Sequence, residues 1–360
     1  MDMNRKSVLM TILLIIGVTC PSSAQHSDSE ADLQKLYQQI DEAIEHSPDY
    51  VAKRVKQITD LQKSFLAEDN SEKKLGMAER LFELYKPYKN DSALYFADIC
   101  ISLADSLHRS DKVGLYQSLK ANQCSNTGRY VQALELLNRV DKKSLTPSGL
   151  TKYYAAWMHV CGEIGSHSQQ ESERQHYYDC QDAYRDSVLS VAEEGSEEYL
   201  HLKMDVLCAR MQFQDALSVS DSWLSKVSEG THEHAYAAFY RSMVYSRLGN
   251  SSKLRYWLGN SALDDIKCAV YDQASLFMLA ERLCDDGDYD RAYSYMRFSE
   301  ACNTVFLPQL RSYQVRYVAN VMEKVYNHSQ DRFTTLLVIS CAVVLLLLVV
   351  MVWLLIRRRK

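Results

Sequence analysis

Only 12 Gly and 5 Pro in 360 residues, against abundant Leu, Ala, Glu, Lys and Gln, exclude a β-rich or turn-rich chain and point to an all-helical fold. A formal net charge of −5, with no dense basic patch ahead of the last few residues, excludes nucleic-acid binding by the bulk of the chain. The 10 Cys show no C-x-x-C and no other metal-ligand spacing, so no metal framework is encoded.

The chain opens with a leader pattern. Arg5 and Lys6 form a positive n-region, Val8 to Val18 an apolar stretch too short to be a comfortable span, and Ser22-Ser23-Ala24 a small-residue cleavage site. Residues 1–24 therefore read as a signal peptide, and the mature chain is expected to begin at Gln25. Two other readings stay open. Cys20 would be acylated in a lipoprotein, although Gly17-Val18-Thr19 is a poor lipobox, and the stretch could remain as an uncleaved anchor. Residues 25–66 follow as two amphipathic helices. Leu33, Leu36, Ile40 and Ile44 form one stripe; Ser47-Pro48 restarts the chain; Val51, Val55, Ile58 and Leu61 form a second stripe. A helical hairpin or short coiled coil is expected. It offers a surface for a homodimer or, the commoner use, for packing on the next domain.

Residues 67–304 repeat themselves. The clearest unit runs from Leu276 through Ala280, Gly287 and Tyr289 to Ala292. Ala280 and Ala292 are small where two helices cross closely, Gly287 frees the backbone to reverse the chain, and Tyr289 covers the corner. Large, small and large apolar positions, a Gly turn, an aromatic and a second small residue resemble the tetratricopeptide repeat. Gly128-Arg-Tyr130-Val-Gln-Ala133 is a second good unit, and Met211-Gln-Phe213-Gln-Asp-Ala216 a weaker one with Met in the Gly position. Gly249 is followed by Leu254 at the small position, and Tyr88-Lys-Asn90-Asp-Ser-Ala93 is weaker still. The second-helix anchors Ala93, Ala133, Ala216, Leu254 and Ala292 are separated by 40, 83, 38 and 38 residues. The long gap implies a degenerate unit, with Tyr153, Tyr154, Ala156 and Trp157 on its first helix and Tyr177 to Tyr184 on its second. The period exceeds the standard ~34 residues, so the helices or loops are longer than consensus. Six hairpins stacked as a degenerate solenoid are expected. Leu276, Ala133, Ala216, Ala280, Gly287, Tyr289 and Ala292 are its predicted packing residues.

Residues 305–332 read as a juxtamembrane helix, with Pro308 near its start and Leu310, Val315, Val318, Val321, Met322 and Val325 on its apolar side. Phe333 to Ile356 holds only apolar residues, three hydroxyls and Cys341. As a helix it spans ~36 Å, enough to cross a ~30 Å hydrocarbon core with some tilt. Trp353 and the basic tail of Arg357, Arg358, Arg359 and Lys360, residues 357–360, put the C-terminus in the cytoplasm and the rest outside. No Gly or Pro occurs between Gln309 and Ile356, so one helix can run through both segments.

Eight cysteines lie between the leader and the membrane: Cys100, Cys124, Cys161, Cys180, Cys208, Cys268, Cys284 and Cys302. Most sit in apolar helical patterns and read as buried free thiols, with one or two disulfides open in an oxidising compartment. P-loop, G-x-S-x-G, H-E-x-x-H and dinucleotide patterns are all missing, so no enzyme and no cofactor is expected. His232-Glu233-His234 has the wrong spacing for one helix face and reads as a solvated helix start. Asp285, Asp286, Asp288 and Asp290 surround the Gly287 turn, lack the closing Glu of a calcium loop, and read as solvated. Binding is the better expectation. First helices line the groove of such solenoids, and register on the turn Gly places Phe239 and Phe277 there. Tyr236, Met243 and Arg247 share that face, and His201 takes the matching place one unit earlier. Aromatic anchors with one Arg suit an extended peptide or a sugar; packing against the neighbouring repeat is the competing reading.

The whole pattern is similar to a bacterial family known only as a domain of unknown function, in which a signal peptide, degenerate tetratricopeptide repeats and one membrane helix are joined. Ile44-Glu-His-Ser-Pro48-Asp-Tyr-Val, Leu84-Tyr85-Lys-Pro-Tyr88-Lys-Asn-Asp91-Ser92-Ala93 and Gly287-Asp-Tyr289-Asp-Arg-Ala292-Tyr293 carry the resemblance. Many relatives continue into a coiled coil and a LuxR-type helix-turn-helix. The resemblance thus implies the extracytoplasmic sensor of an inner-membrane transcriptional regulator, contacting a protein or peptide outside and the lipid bilayer. The sequence stops at Lys360, short of any DNA-contacting part, so a truncated member and a chain that continues are both implied. A membrane-tethered scaffold for envelope proteins and the input half of a histidine kinase are the alternatives.

Overall fold

The computed structural model describes residues 22–306 and 312–358; the apolar leader at Val8 to Val18, Cys20, Pro308, Leu310, Arg359 and Lys360 fall outside them. The described residues are all-helical apart from turns, without a strand. Two helices come first, α1 (Ser22–Glu45) and α2 (Ser47–Ala67). Six hairpins follow: α3 (Ser71–Tyr85) with α4 (Asn90–Ser106), α5 (Ser110–Asn126) with α6 (Tyr130–Arg139), and α7 (Pro147–His167) with α8 (Glu171–Val191). The second three are α9 (Glu197–Ala209) with α10 (Phe213–Leu224), α11 (His232–Arg247) with α12 (Ser251–Lys267), and α13 (Ala274–Asp285) with α14 (Tyr289–Phe306). One long helix, α15 (Ser312–Arg358), ends the described chain.

The anchors fall where two helices cross. Ala93, Ala133, Ala216, Ala280 and Ala292 are fully buried, Leu276 with them, and Leu254 is buried at the same place in its pair. Four hairpins reverse on one left-handed residue: Gly128, Met211, Gly249 and Gly287, with φ of 72°, 60°, 68° and 88°. The bonds at each turn repeat one scheme, shown by Met211 N–H donating to Cys208 O and Gln212 N–H to Leu207 O. This is the Schellman closure of a helix end, which needs positive φ at one residue. The third pair closes differently. Its small residues stand on α7: a Cβ on Gly162 would meet the Gln181 amide at 2.5 Å, and one on Gly165 would meet the Tyr178 ring at 3.0 Å.

The hydrophobic interior is divided along the array rather than gathered centrally, as expected for a solenoid. The expected N-terminal hairpin is not one. α1 lies along α12, while α2 lies along α3 and touches α12. Gly259 makes room for α1, since a Cβ there would lie 2.7 Å from Leu36. Buried Leu33, Leu36, Tyr37 and Ile40 join the core of the last two hairpins, and Tyr295 Oη donates to Tyr37 O at 3.1 Å. The apolar stripe of α1 thus finds its partner more than 200 residues away instead of on α2. The array also meets itself. Tyr271 N–H donates to Pro87 O at 2.8 Å, and the Tyr88 and Tyr271 rings are 4.8 Å apart. Arg54 of α2 bridges this seam, donating to Leu84 O at 2.7 Å and Cys268 O at 3.0 Å.

α15 packs against the last hairpin. Its stretch from Asn320 to His328 docks on α13 and α14: Val321 is buried, Asn320 reaches Glu281, Lys324 pairs with Asp285, and the His328 ring stacks on Tyr289 at 4.2 Å. The four acids at the Gly287 turn are therefore not merely solvated. Asp285 meets Lys324, Asp286 meets Arg255, and Asp288 meets Arg291; only Asp290 keeps to the expectation. Beyond Phe333 the helix is exposed on every side, and it is long and apolar enough to cross a bilayer. At its far end the Arg357 guanidinium lies 5.3 Å from the Trp353 ring, with Arg358 following.

Candidate functional site, an aromatic and charged wall on α7, α9 and α11

First helices of neighbouring pairs bring their N-terminal turns side by side. Ser196 caps α9 by accepting from Tyr199 N–H at 3.3 Å, and Thr231 caps α11 by accepting from His234 N–H at 3.2 Å. These caps fix where Glu197, Glu198 and His201 stand relative to His232, Tyr236 and Tyr240. His201 stacks on Tyr240 with ring centres 4.8 Å apart. Trp223 of α10 stacks on the same tyrosine at 5.9 Å, and Tyr236 meets Tyr240 edge-on at 5.1 Å. His201 Nδ1 is 3.0 Å from Glu197 O, so as donor it leaves Nε2 to accept. Burial holds this imidazole below its ordinary range, so it is neutral at physiological pH. Burial likewise pushes the Tyr236 phenol up to about 12 and Tyr240 well above its usual value.

Charges flank the aromatic wall. Lys152 of α7 forms an ion pair with Glu198 across the pair boundary. Burial opposes the Glu198 charge, but the Lys152 ammonium outweighs it and holds the carboxyl low. Glu197 moves the other way: burial, then the Glu198 charge, raise it. Two adjacent carboxyls are thereby set apart, one firmly ionised and one easier to protonate.

His232 and His234 contradict the expectation of a solvated helix start. His234 is buried, with Nδ1 2.5 Å from Asp264; His232 Nδ1 lies 2.8 Å from Asp265. Gly230 N–H donates to Asp264 at 3.1 Å. Both aspartates come from the C-terminal end of α12, so these pairs tie the start of one helix to the end of its partner. Burial opposes charge on His232, but the bond to Asp265 prevails and raises its pKa; burial raises Asp265. Among the described residues no group of three His, Cys, Asp or Glu is arranged to hold a metal ion.

The predicted groove set divides. His201 and Tyr236 stand together on the wall, and Arg247 is exposed, 3.9 Å from Asp205 at the far end of α11. Phe277 does not line a groove. It is fully buried in the core of the last two hairpins, against which the half-buried Phe239 and Met243 also pack. The Phe239 and Phe277 positions both face the shared interior of the last two hairpins, so packing within the array consumes their apolar surface. The wall also contains residues that register did not single out: Trp223, Tyr240, Lys152, Glu197 and Glu198. Tyr240 had a local signal, one helical turn after Tyr236 on the same face. Trp223 and Lys152 had none, since they arrive from other helices.

Trp223 and His201 are themselves buried, so the aromatic surface presented is that of the half-buried Tyr236 and Tyr240, beside a carboxyl of raised pKa and a compensated ion pair. Such a wall suits a hydrogen-bonding, weakly charged ligand better than a strongly charged one. The family model for the SusR N-terminal TPR domain matches residues 44–317 of the chain. No curated protein matches it.

Proposed function

The chain belongs to the SusR N-terminal TPR domain family, and from that premise we propose that it is the extracytoplasmic sensor of a membrane-bound transcriptional regulator. Within this reading residues 1–24 are a signal peptide, the hairpins face the periplasm, α15 crosses the inner membrane, and the C-terminus meets the cytoplasm. A LuxR-type DNA-binding part would act on the far side. The hairpins bind a peptide or protein segment rather than catalyse a reaction, as TPR domains generally do, and homodimers would pair the membrane helices. The observation that carries the reading is the unbroken α15. It is clamped to the sixth hairpin by Lys324, Val321 and His328, and it continues without Gly or Pro to Arg358. A tethered scaffold has no use for such stiffness, because a flexible link holds a domain equally well.

The test inserts two Gly after Ser329 at the native gene. The regulator reading expects transcript changes matching those of gene deletion, with the membrane level of the protein unchanged. Transcript changes on deletion alone would remove the coupled helix, and none on either would leave the scaffold. Orientation is checked separately with alkaline phosphatase fused after Asn327 and a cytoplasm-only reporter after Lys360. Both must be active for a single pass with the hairpins outside.

A further inference from the structure

We infer that Cys161 and Cys180 are a dithiol pair that a disulfide donor converts into a covalent lock between α7 and α8. Their Sγ atoms stand 3.1 Å apart on the two facing helices of the third hairpin. A disulfide spans ~2.05 Å, so roughly 1 Å of sulfur movement closes the bond. The two helices already lie close here, since Gly162 and Gly165 of α7 stand against the Gln181 and Tyr178 side chains of α8. The other core cysteines differ: Cys100, Cys124, Cys208 and Cys284 lie in four separate hydrophobic clusters and serve as small apolar side chains.

Need and access agree with the geometry. The third pair lacks the left-handed turn that closes four of the others, and α8 buries only Val188. α8 packs on α7 mainly through half-buried rings, Tyr184 stacking on Trp157 at 5.2 Å, and a crosslink adds a covalent tie to this partly exposed helix. Cys180 is partly exposed while Cys161 is buried. Burial and the neighbouring sulfur push the Cys161 thiol up, so Cys180 is the sulfur that reacts first. Its thiolate attacks the donor disulfide and expels one donor thiolate, giving a mixed disulfide. Cys161 then gives up its proton and attacks the Cys180 sulfur, expelling the second donor thiolate. Two thiols are oxidised, one S–S bond forms, and the donor is reduced to two thiols by the two electrons and two protons released. The donor is a protein or small-molecule disulfide of an oxidising compartment, so pairing in the cell rests on the extracytoplasmic placement proposed above.

The test uses the full chain in its own membranes. Cells are quenched with acid, free thiols are blocked with a maleimide under denaturing conditions, and the protein is cut with trypsin without reductant. Cleavage leaves Cys161 on Tyr153–Arg174 and Cys180 on Gln175–Arg185. The expected product joins these two peptides, two hydrogen masses lighter than their sum, and separates on reduction. Cys180→Ser should return Cys161 as the alkylated thiol. A parallel sample of detergent-purified chain is treated with oxidised glutathione. Linkage in both samples supports the lock and the placement. Linkage only in the purified sample supports the pair and overturns the placement. Alkylation of both cysteines in both samples, or linkage of either to another cysteine, overturns the inference.

Discussion

Met211→Gly should stabilise the protein. Met211 occupies the left-handed position of the fourth hairpin turn at φ 60°, where the equivalent turns carry Gly128, Gly249 and Gly287. An L side chain in that conformation costs roughly 1–2 kcal/mol relative to a right-handed one, and Gly removes this cost. Gly also makes the unfolded chain more flexible, which opposes the gain by about 0.4–1 kcal/mol. The side chain is 76% exposed, so almost no packing is lost with it. The net expectation is a gain of roughly 0.5–1 kcal/mol. Urea unfolding of detergent-solubilised protein, followed by far-UV circular dichroism, reads the difference as a midpoint shift at constant slope. Met211→Ala is the discriminating control. It removes the side chain but keeps the left-handed cost, so it should change stability by less than ~0.5 kcal/mol. Gly249→Ala should destabilise, since it introduces the strain Met211 already carries. Equal effects of the Gly and Ala variants at 211 would show that the backbone argument is wrong.

The remaining predictions address packing and charge. Ala292→Leu overfills the fully buried crossing of α13 and α14 and should cost about 1–3 kcal/mol, while Glu300→Ala should stay within roughly 0.5 kcal/mol; equal unfolding midpoints would refute the assigned register. Gly259→Val should push against Leu36 and free α1, seen as faster amide exchange in residues 30–45 with exchange in α5 and α6 unchanged. The His232–Asp265 pair gives a signed pH effect. Its raised imidazole pKa means the folded state binds the extra proton, so this contribution is full below the unfolded value near 6.5 and is lost as pH rises through the higher folded value. Asp265→Asn should flatten stability against pH above ~6.5, and an unchanged slope would assign the pH dependence to other groups.

Much of the array was legible because its signals are local. A Gly turn and a small residue at the crossing lie within one hairpin, and the spacing of Ala93, Ala133, Ala216, Leu254 and Ala292 carried the register. The third pair was legible only as a gap, since its close approach uses Gly162 and Gly165 on the first helix and no Ala at the usual place. What failed was non-local. The stripe of α1 announces an apolar partner but not which one, and its partner proved to be α12. His232 and His234 looked solvated because Asp264 and Asp265, which pair with them, lie some 30 residues on. Phe277 was misplaced because register fixes the face of a residue, not whether neighbouring helices cover it.

The closing contacts and the long C-terminal helix meet on the same element. α1 grips the last hairpin through Tyr37 with Tyr295 and Asp41 with Arg291, and α15 grips it through Asp285 and Tyr289. At the opposite edge Arg54 joins the first hairpin to the end of α12. The array is thus a curved stack held at two points, with the wall on α7, α9 and α11 between them. A stack clamped in this way cannot change curvature at the wall alone. Either the Arg54 bridge opens or the last hairpin turns, and a turning hairpin carries α15 because packing and ion pairs bind them together. The Arg54 bonds, the Tyr271–Pro87 bond and the Tyr88–Tyr271 ring contact at this seam are together worth only a few kcal/mol, within reach of a ligand's binding energy. On the proposed sensor reading, the seam at Arg54 would be the element a bound segment biases, and α15 the lever that carries the outcome.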